Sequence, residues 1–351
     1  MNTKKDIKLS NIKGLLIFLV VFGHLMELYK REYNEIFVFI YSFHMPLFIL
    51  ISGYFAKNVK LWKIINLILL YGIFQTFFNW FQFIIGDTTS FSKHYGTPIY
   101  HLWYIVSLGF WYTLAYAINK LHFNKYGKFI ILLTIFVIAF LSRWYTNDIV
   151  SFMQGYIPNF SSYTLSFQRT LTFAPFFFAG FFLTKDALYK TYNLITQKTT
   201  MLLMTITMFF CFLIFDRKPV VELIYRGGFG TDRFLLPTDN FWNYTTDVFS
   251  HYLIAGWLCF LILNIVESSE GFLTKIGDRS LTIFLFHPIF IFALWQFDFF
   301  KVWGWPTQIL FFFILAYFIS LTLSSNTFVS FSRYLCHPYR SIAILLQRNK
   351  S

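Results

Sequence analysis

Apolar residues run along this chain in stretches of about 20, the length that takes a helix across a hydrocarbon core roughly 30 Å thick. Short polar clusters separate them. The pattern predicts ten transmembrane helices, at residues 12–30, 35–56, 63–86, 101–119, 128–146, 169–185, 199–215, 248–267, 279–298 and 306–332. Backbone polar groups in lipid must be satisfied internally, which favours helices over a barrel for stretches of this length. The expected fold is an all-α integral membrane protein, a bundle of about ten transmembrane helices. No repeat, low-complexity tract or composition shift divides it, so residues 1–351 are read as a single polytopic membrane domain.

Composition agrees: 57% of residues are hydrophobic, 13% are charged, and the mean hydropathy is +0.56. The net charge of +13 does not point to nucleic acid, which would need a solvated basic face, because Lys and Arg sit in short loops between apolar stretches. They set the topology instead. An even number of spans puts both termini on one side, and roughly twice as many Lys and Arg fall on that side as on the other, so both termini are expected to be cytoplasmic. The longer outer loops are then 147–168 and 216–247. The start, MNTKKDIKLSNIK before an apolar run, is similar to a secretory signal but lacks a small-residue cleavage site, and is read as a retained first helix. Cys211, Cys259 and Cys336 are isolated and suggest neither a zinc finger nor a disulfide framework.

Ionisable residues inside these runs carry the chemistry. His24 lies about 16 Å beyond Lys13 along the first helix, near mid-bilayer. Eleven residues are close to three turns, so Lys13 and His24 share a face, and Glu27 lies on much the same side. His44 in FHMP and His287 in FHPIF reach similar depth, each followed by a proline, Pro46 or Pro288, which loosens the helix there. Such groups line a cavity or a substrate path, or they hydrogen-bond a neighbouring helix and hold the bundle together. Metal ligation by the three histidines lacks any close spacing of the H-E-x-x-H kind, so no metal is expected. Arg169, at the outer end of its helix, can meet an acceptor hydroxyl or anionic sugar, or anchor at headgroup level. Lys57, Lys60 and Lys63 can hold the phosphates of a nucleotide-like donor, or mark topology. The outer stretch YRGGFGTDRF, residues 225–234, is no nucleotide fingerprint, because no strand precedes it; an acceptor-facing loop is the alternative to a plain connector.

Five segments together resemble the acyltransferase 3 family of integral membrane acyltransferases, in its fucose 4-O-acetylase-like branch. They are the basic-x10-His pair Lys13 and His24; FHMPLFILISGYF, 43–55; HLWYIVSLGFW, 101–111; RTLTFAPFFFAGFF, 169–182; and GDRSLTIFLFHP, 277–288. The resemblance implies ten helices and transfer of an acyl group, usually acetyl from acetyl-CoA, to a hydroxyl of a cell-envelope or secreted glycan, in the plasma membrane of a bacterium. It carries the family's basic-x10-His motif onto Lys13 and His24, and its FFxxSG-like element onto Ser52 and Gly53. The family usually has Arg at the position of Lys13, a change that matters if a planar bidentate contact is needed. Many relatives also carry an appended extracellular hydrolase-like domain; this chain stops soon after its last predicted helix and is expected to complete the transfer alone or pass the group to a partner.

Acyl transfer to a sugar hydroxyl needs a base, and His24 is the candidate, with Glu27 orienting it as a triad carboxylate does. Lys13, with Lys57, Lys60 and Lys63, would serve the acyl-CoA donor, and His44, Arg169 and His287 the glycan or lipid-linked sugar acceptor. Direct transfer and an acyl-His24 relay both fit these residues. The competing reading is an exporter or flippase of a glycan or lipid-linked sugar, with the same polar interior as its path.

Overall fold

The computed structural model describes residues 6–27, 34–86, 88, 95–192, 194–215, 240–297 and 302–342. Lys4, Lys5, Arg348, Lys350 and the 225–234 stretch lie outside them. Every regular element among the described residues is helical: α1 Ile7–Met26, α2 Asn34–Phe55, α3 Leu61–Ile84, α4 Trp103–Lys120, α5 Lys125–Trp144, α6 Thr146–Gln154, α7 Phe167–Phe182, α8 Lys185–Tyr192, α9 Gln197–Phe215, α10 Phe241–Ile265, α11 Phe272–Asp278, α12 Ser280–Leu294, α13 Trp305–Leu323 and α14 Asn326–Cys336, with short 3₁₀ turns between some of them.

Caps begin several of these helices. The Asp6 carboxylate accepts the Leu9 amide at 3.0 Å, the Asn124 carbonyl accepts the Gly127 amide at 2.8 Å, and the Asn240 carbonyl accepts the Trp242 amide at 2.9 Å. Each satisfies an amide that the first helical turn leaves without a partner. Among the described residues six helices are long and apolar enough to cross a membrane, or up to eight if each of two bent pairs is one span. The first bent pair joins the α7 segment to α8 at 100°, the second joins α11 to α12 at 89°. Two expected spans are not among these: α4, Trp103–Lys120, which ends on the polar Asn119 and Lys120, and α9, Gln197–Phe215. The expected span 306–332 is broken, because α13 ends at Leu323 and α14 starts afresh at Asn326. The 147–168 stretch, expected as an outer loop, contains most of α6 and a turn of 3₁₀ helix.

The helices present apolar residues outward. On α5, Phe129, Ile130, Leu133, Val137, Ile138 and Leu141 are all exposed. In water that stripe would be an aggregation surface; facing lipid tails it costs nothing.

The chain packs as two compact units, one of residues 1–48 and 183–329, the other of residues 49–182 and 330–351. In the first, α1 is the central rod, packed against α11, α12 and α13, while α10 packs on α8 and α9. Small residues let α1 and α11 touch backbone to backbone, as membrane helices commonly do. A Cβ added at Gly277 would run into the Ser10 carbonyl, and one at Gly14 into the Leu273 carbonyl. Gly277→Val is therefore expected to cost about 1–3 kcal/mol or more. The thermal midpoint of detergent-purified protein measures this, and an unchanged midpoint would mean that the two helices are not in close contact.

In the second unit α4 packs on α3 and α7, and α5 on α7. A Cβ at Gly53 would meet the Phe177 carbonyl, and the neighbouring Ser52 hydroxyl shares a 2.6 Å hydrogen bond with the Tyr104 hydroxyl. The Ser-Gly element thus has a packing reason: glycine admits the α7 backbone and serine ties α2 to α4.

Candidate active site

In the first unit α1 carries His24 and α12 carries His287, and the two imidazoles meet. His24 Nδ1 lies 2.9 Å from His287 Nε2. The rings are nearly parallel, 23° apart, with centroids separated by 5.1 Å. His287 is fully buried, at 0% exposure, whereas His24 is partly exposed.

A backbone carbonyl decides which nitrogens carry protons. His287 Nδ1 is 3.0 Å from the Ile283 carbonyl oxygen, and a carbonyl can only accept, so His287 holds its proton on Nδ1. The Nε2 of a neutral His287 is then an acceptor, and His24 Nδ1 must be the donor. A neutral His24 consequently has its lone pair on Nε2, the atom needed to take up a proton. Pro288, the residue after His287, has no amide to give the Phe284 carbonyl, so the helix is loosened where the ring folds back on its own backbone.

His24 Nδ1 thus meets a second imidazole, while Glu27, expected to orient His24, lies three residues further along α1. Glu27 accepts the Tyr41 hydroxyl at 2.8 Å, and the Tyr41 ring stands edge-on to His44 with centroids 4.7 Å apart. His44 is 2% exposed and donates from Nδ1 to the Ile40 carbonyl at 2.8 Å. Tyr41 carries no charge and merges with the aromatic background of α2, so only its position three residues before His44 could have flagged it.

Lys13 is partly exposed on α1, about 16 Å along the helix from His24. Lys13, His24, Glu27, His44 and His287 therefore share one unit. The remaining sequence candidates belong to the other. Lys57 Nζ sits 4.2 Å over the Tyr54 ring, Lys63 Nζ 6.0 Å over the Trp62 ring, and Lys60 is exposed at the start of α3. The Arg169 guanidinium lies over Trp103 at 5.1 Å and Tyr163 at 5.8 Å, within cation–π range. That unit also buries Arg143 and His101, at 3% and 2% exposure. Arg143 is masked in the sequence by its place at a helix end, where a basic residue ordinarily marks topology. No group of three His, Cys, Asp or Glu able to hold a metal occurs among the described residues.

A family model described as an acyltransferase domain matches residues 6–325. The chain belongs to the acyltransferase 3 family. The match takes in both histidines and every sequence candidate named above, and with the apolar helices it makes this a multi-pass membrane protein. A 63-residue stretch is 48% identical to the nodulation protein NolL of Sinorhizobium fredii (strain NBRC 101917 / NGR234), covering 16% of this chain and 17% of that protein. The chain thus matches about a sixth of that relative's length. No solved structure matches it.

Proposed function

We propose that this family member is a membrane O-acyltransferase that moves an acyl group, acetyl in the simplest case, from acyl-CoA to a hydroxyl of a cell-surface or secreted glycan. In this reading ten helices cross the plasma membrane of a bacterium with both termini cytoplasmic, α4 and α9 included. The observation that carries the reading is the hydrogen-bonded pair of His24 and His287, with its proton positions dictated by the Ile283 carbonyl.

His24 Nε2 takes the proton of the sugar hydroxyl as that oxygen attacks the thioester carbonyl carbon. The forming imidazolium is stabilised because its Nδ1–H already points at the His287 acceptor. Collapse of the tetrahedral intermediate breaks the carbon–sulfur bond, and the His24 proton passes to the departing thiolate. The products are the O-acyl sugar and free CoA, and His24 ends neutral. Lys13 serves the donor side; Arg169, which lies over Trp103 and Tyr163, serves the acceptor side. Lys57, Lys60 and Lys63 are available to the donor's phosphates, His44 to the acceptor.

Purified protein supplied with acetyl-CoA labelled in the acetyl group tests this. The enzyme is expected to bind the donor and to release CoA in step with label appearing on an added glycan acceptor. Protein that neither binds nor turns over the donor would exclude the reading and return the polar interior to a transport role. NMR spectra of envelope glycans from cells with and without the protein identify the hydroxyl and the group attached.

A further inference from the structure

The second unit carries a surface at the start of α3 that the chemistry above leaves largely unexplained. The apolar span there runs Leu61–Ile84, so Lys60, Trp62 and Lys63 stand where hydrocarbon gives way to headgroups. Residues 330–342 return to the same place. The Trp62 and Tyr339 rings stack, with centroids 6.2 Å apart and planes 25° apart, and the Tyr339 amide donates to the Asn66 side-chain carbonyl at 3.2 Å. The Ser341 hydroxyl lies 3.2 Å from the Tyr334 carbonyl and 3.0 Å from that of His337, which folds the turn after α14 back onto the helix.

The faces of α14 differ. Ser332 and Cys336, four residues apart, are buried. Phe331, Tyr334 and Leu335 form a second stripe that is open to the surroundings, Phe331 at 74% and Tyr334 at 67% exposure. Arg333 and His337 lie along a third, and exposed Arg340 follows in the next turn. Burial, and then the positive charge of Arg340 and Arg333, push the His337 imidazole below its ordinary range, so both arginines bear on one spot. Segments 60–63 and 330–342 thus give one surface Lys60, Lys63, Arg333 and Arg340, and neither segment contains a carboxylate.

Exposed apolar side chains beside uncompensated cations suit a partner that joins negative charge to hydrocarbon. The phosphates of acetyl-CoA would meet the cations but leave Phe331, Tyr334 and Leu335 bare. We infer that this surface docks anionic phospholipid, phosphatidylglycerol being the simplest, in the leaflet beside the start of α3. The lipid phosphates face the two lysines and two arginines, the Trp62–Tyr339 pair sits at headgroup level, where amphipathic rings gather, and the Phe331 stripe enters the acyl-chain boundary. A zwitterionic lipid gains little, because it brings a positive charge with every phosphate. In the topology proposed above this is the cytoplasmic leaflet.

Native mass spectrometry of the full-length protein, released from bilayer discs of mixed phosphatidylglycerol and phosphatidylcholine, tests the assignment. Wild type is expected to retain phosphatidylglycerol well above its share of the bilayer. Arg333→Gln and Arg340→Gln should each weaken that retention about 5-fold, the effect of one cation at an anionic surface, whereas Arg340→Lys should keep it. Lys125→Gln, which removes an exposed cation from the start of α5, should leave retention unchanged. No enrichment in wild type, or an equal loss in Lys125→Gln and Arg340→Gln, overturns the inference. Release of the lipid on adding acetyl-CoA would assign the cations to a nucleotide and also overturn it. Phosphatidylglycerol with a photoreactive headgroup locates the contact: label is expected within residues 331–342, and label confined to other parts of the chain overturns the docking surface. Lipid retention is read without any acceptor or turnover, so its outcome stands apart from that of the acyl-transfer assay.

Discussion

His24→Ala abolishes acyl transfer to the glycan while the protein still inserts and folds. General-base catalysis is worth about 10²–10⁴-fold, and His287 is no equivalent base, because its one lone-pair nitrogen, Nε2, lies behind the His24 ring in a fully buried position. Folding should survive, because α1 is anchored elsewhere, by its backbone contact with α11 at Gly14 and Gly277 and by the Asn11 hydrogen bonds. The measurement is transfer of labelled acetyl in membranes containing equal amounts of variant and wild type; wild-type rates in the variant would remove His24 from the mechanism. Wild-type protein given labelled donor without acceptor separates the two routes. An acyl-His24 relay leaves label on the protein, and direct transfer leaves none.

His287→Leu lowers kcat by about 10- to 100-fold, the cost of a buried hydrogen bond to a group that becomes charged, while the donor KM changes little. Leucine roughly fills the ring's volume but offers nothing to the His24 Nδ1–H, so His24 loses both its fixed tautomer and the acceptor that stabilises its imidazolium. His287→Gln should recover part of the rate, because a glutamine carbonyl oxygen can reach the place of Nε2. The comparison is diagnostic, since a packing role would not distinguish glutamine from leucine in this way. Equal rates for wild type and His287→Leu would show that the pair has no part in the chemistry.

Much of the architecture was legible before any coordinates. Runs of about 20 apolar residues can only be helices once water is removed, and the helix register alone put Lys13 and His24 on one face of α1. What the runs concealed were breaks. The 89° bend at Arg279 joins α12 to a short helix, α11, that hydropathy leaves outside the 279–298 run, and the Ser324-Ser325 turn between α13 and α14 is no more polar than many helix interiors. Hydropathy averages over a window, whereas a bend depends on a few backbone angles.

The site divides in the same way. Composition and spacing alone determined that this is a helical membrane protein with three imidazoles at depth, since those conclusions rest on how far a residue lies along its own helix. Which imidazole meets which was decided only by the tertiary structure. Glu27, three residues from His24, was the natural choice as its partner, yet the ring that meets Nδ1 comes from 263 positions away in the chain. Sequence distance along a helix is metric because its rise is constant; contact between helices depends on which glycine meets which backbone, here Gly14 on Leu273 and Gly277 on Ser10, a pairing that no local pattern encodes.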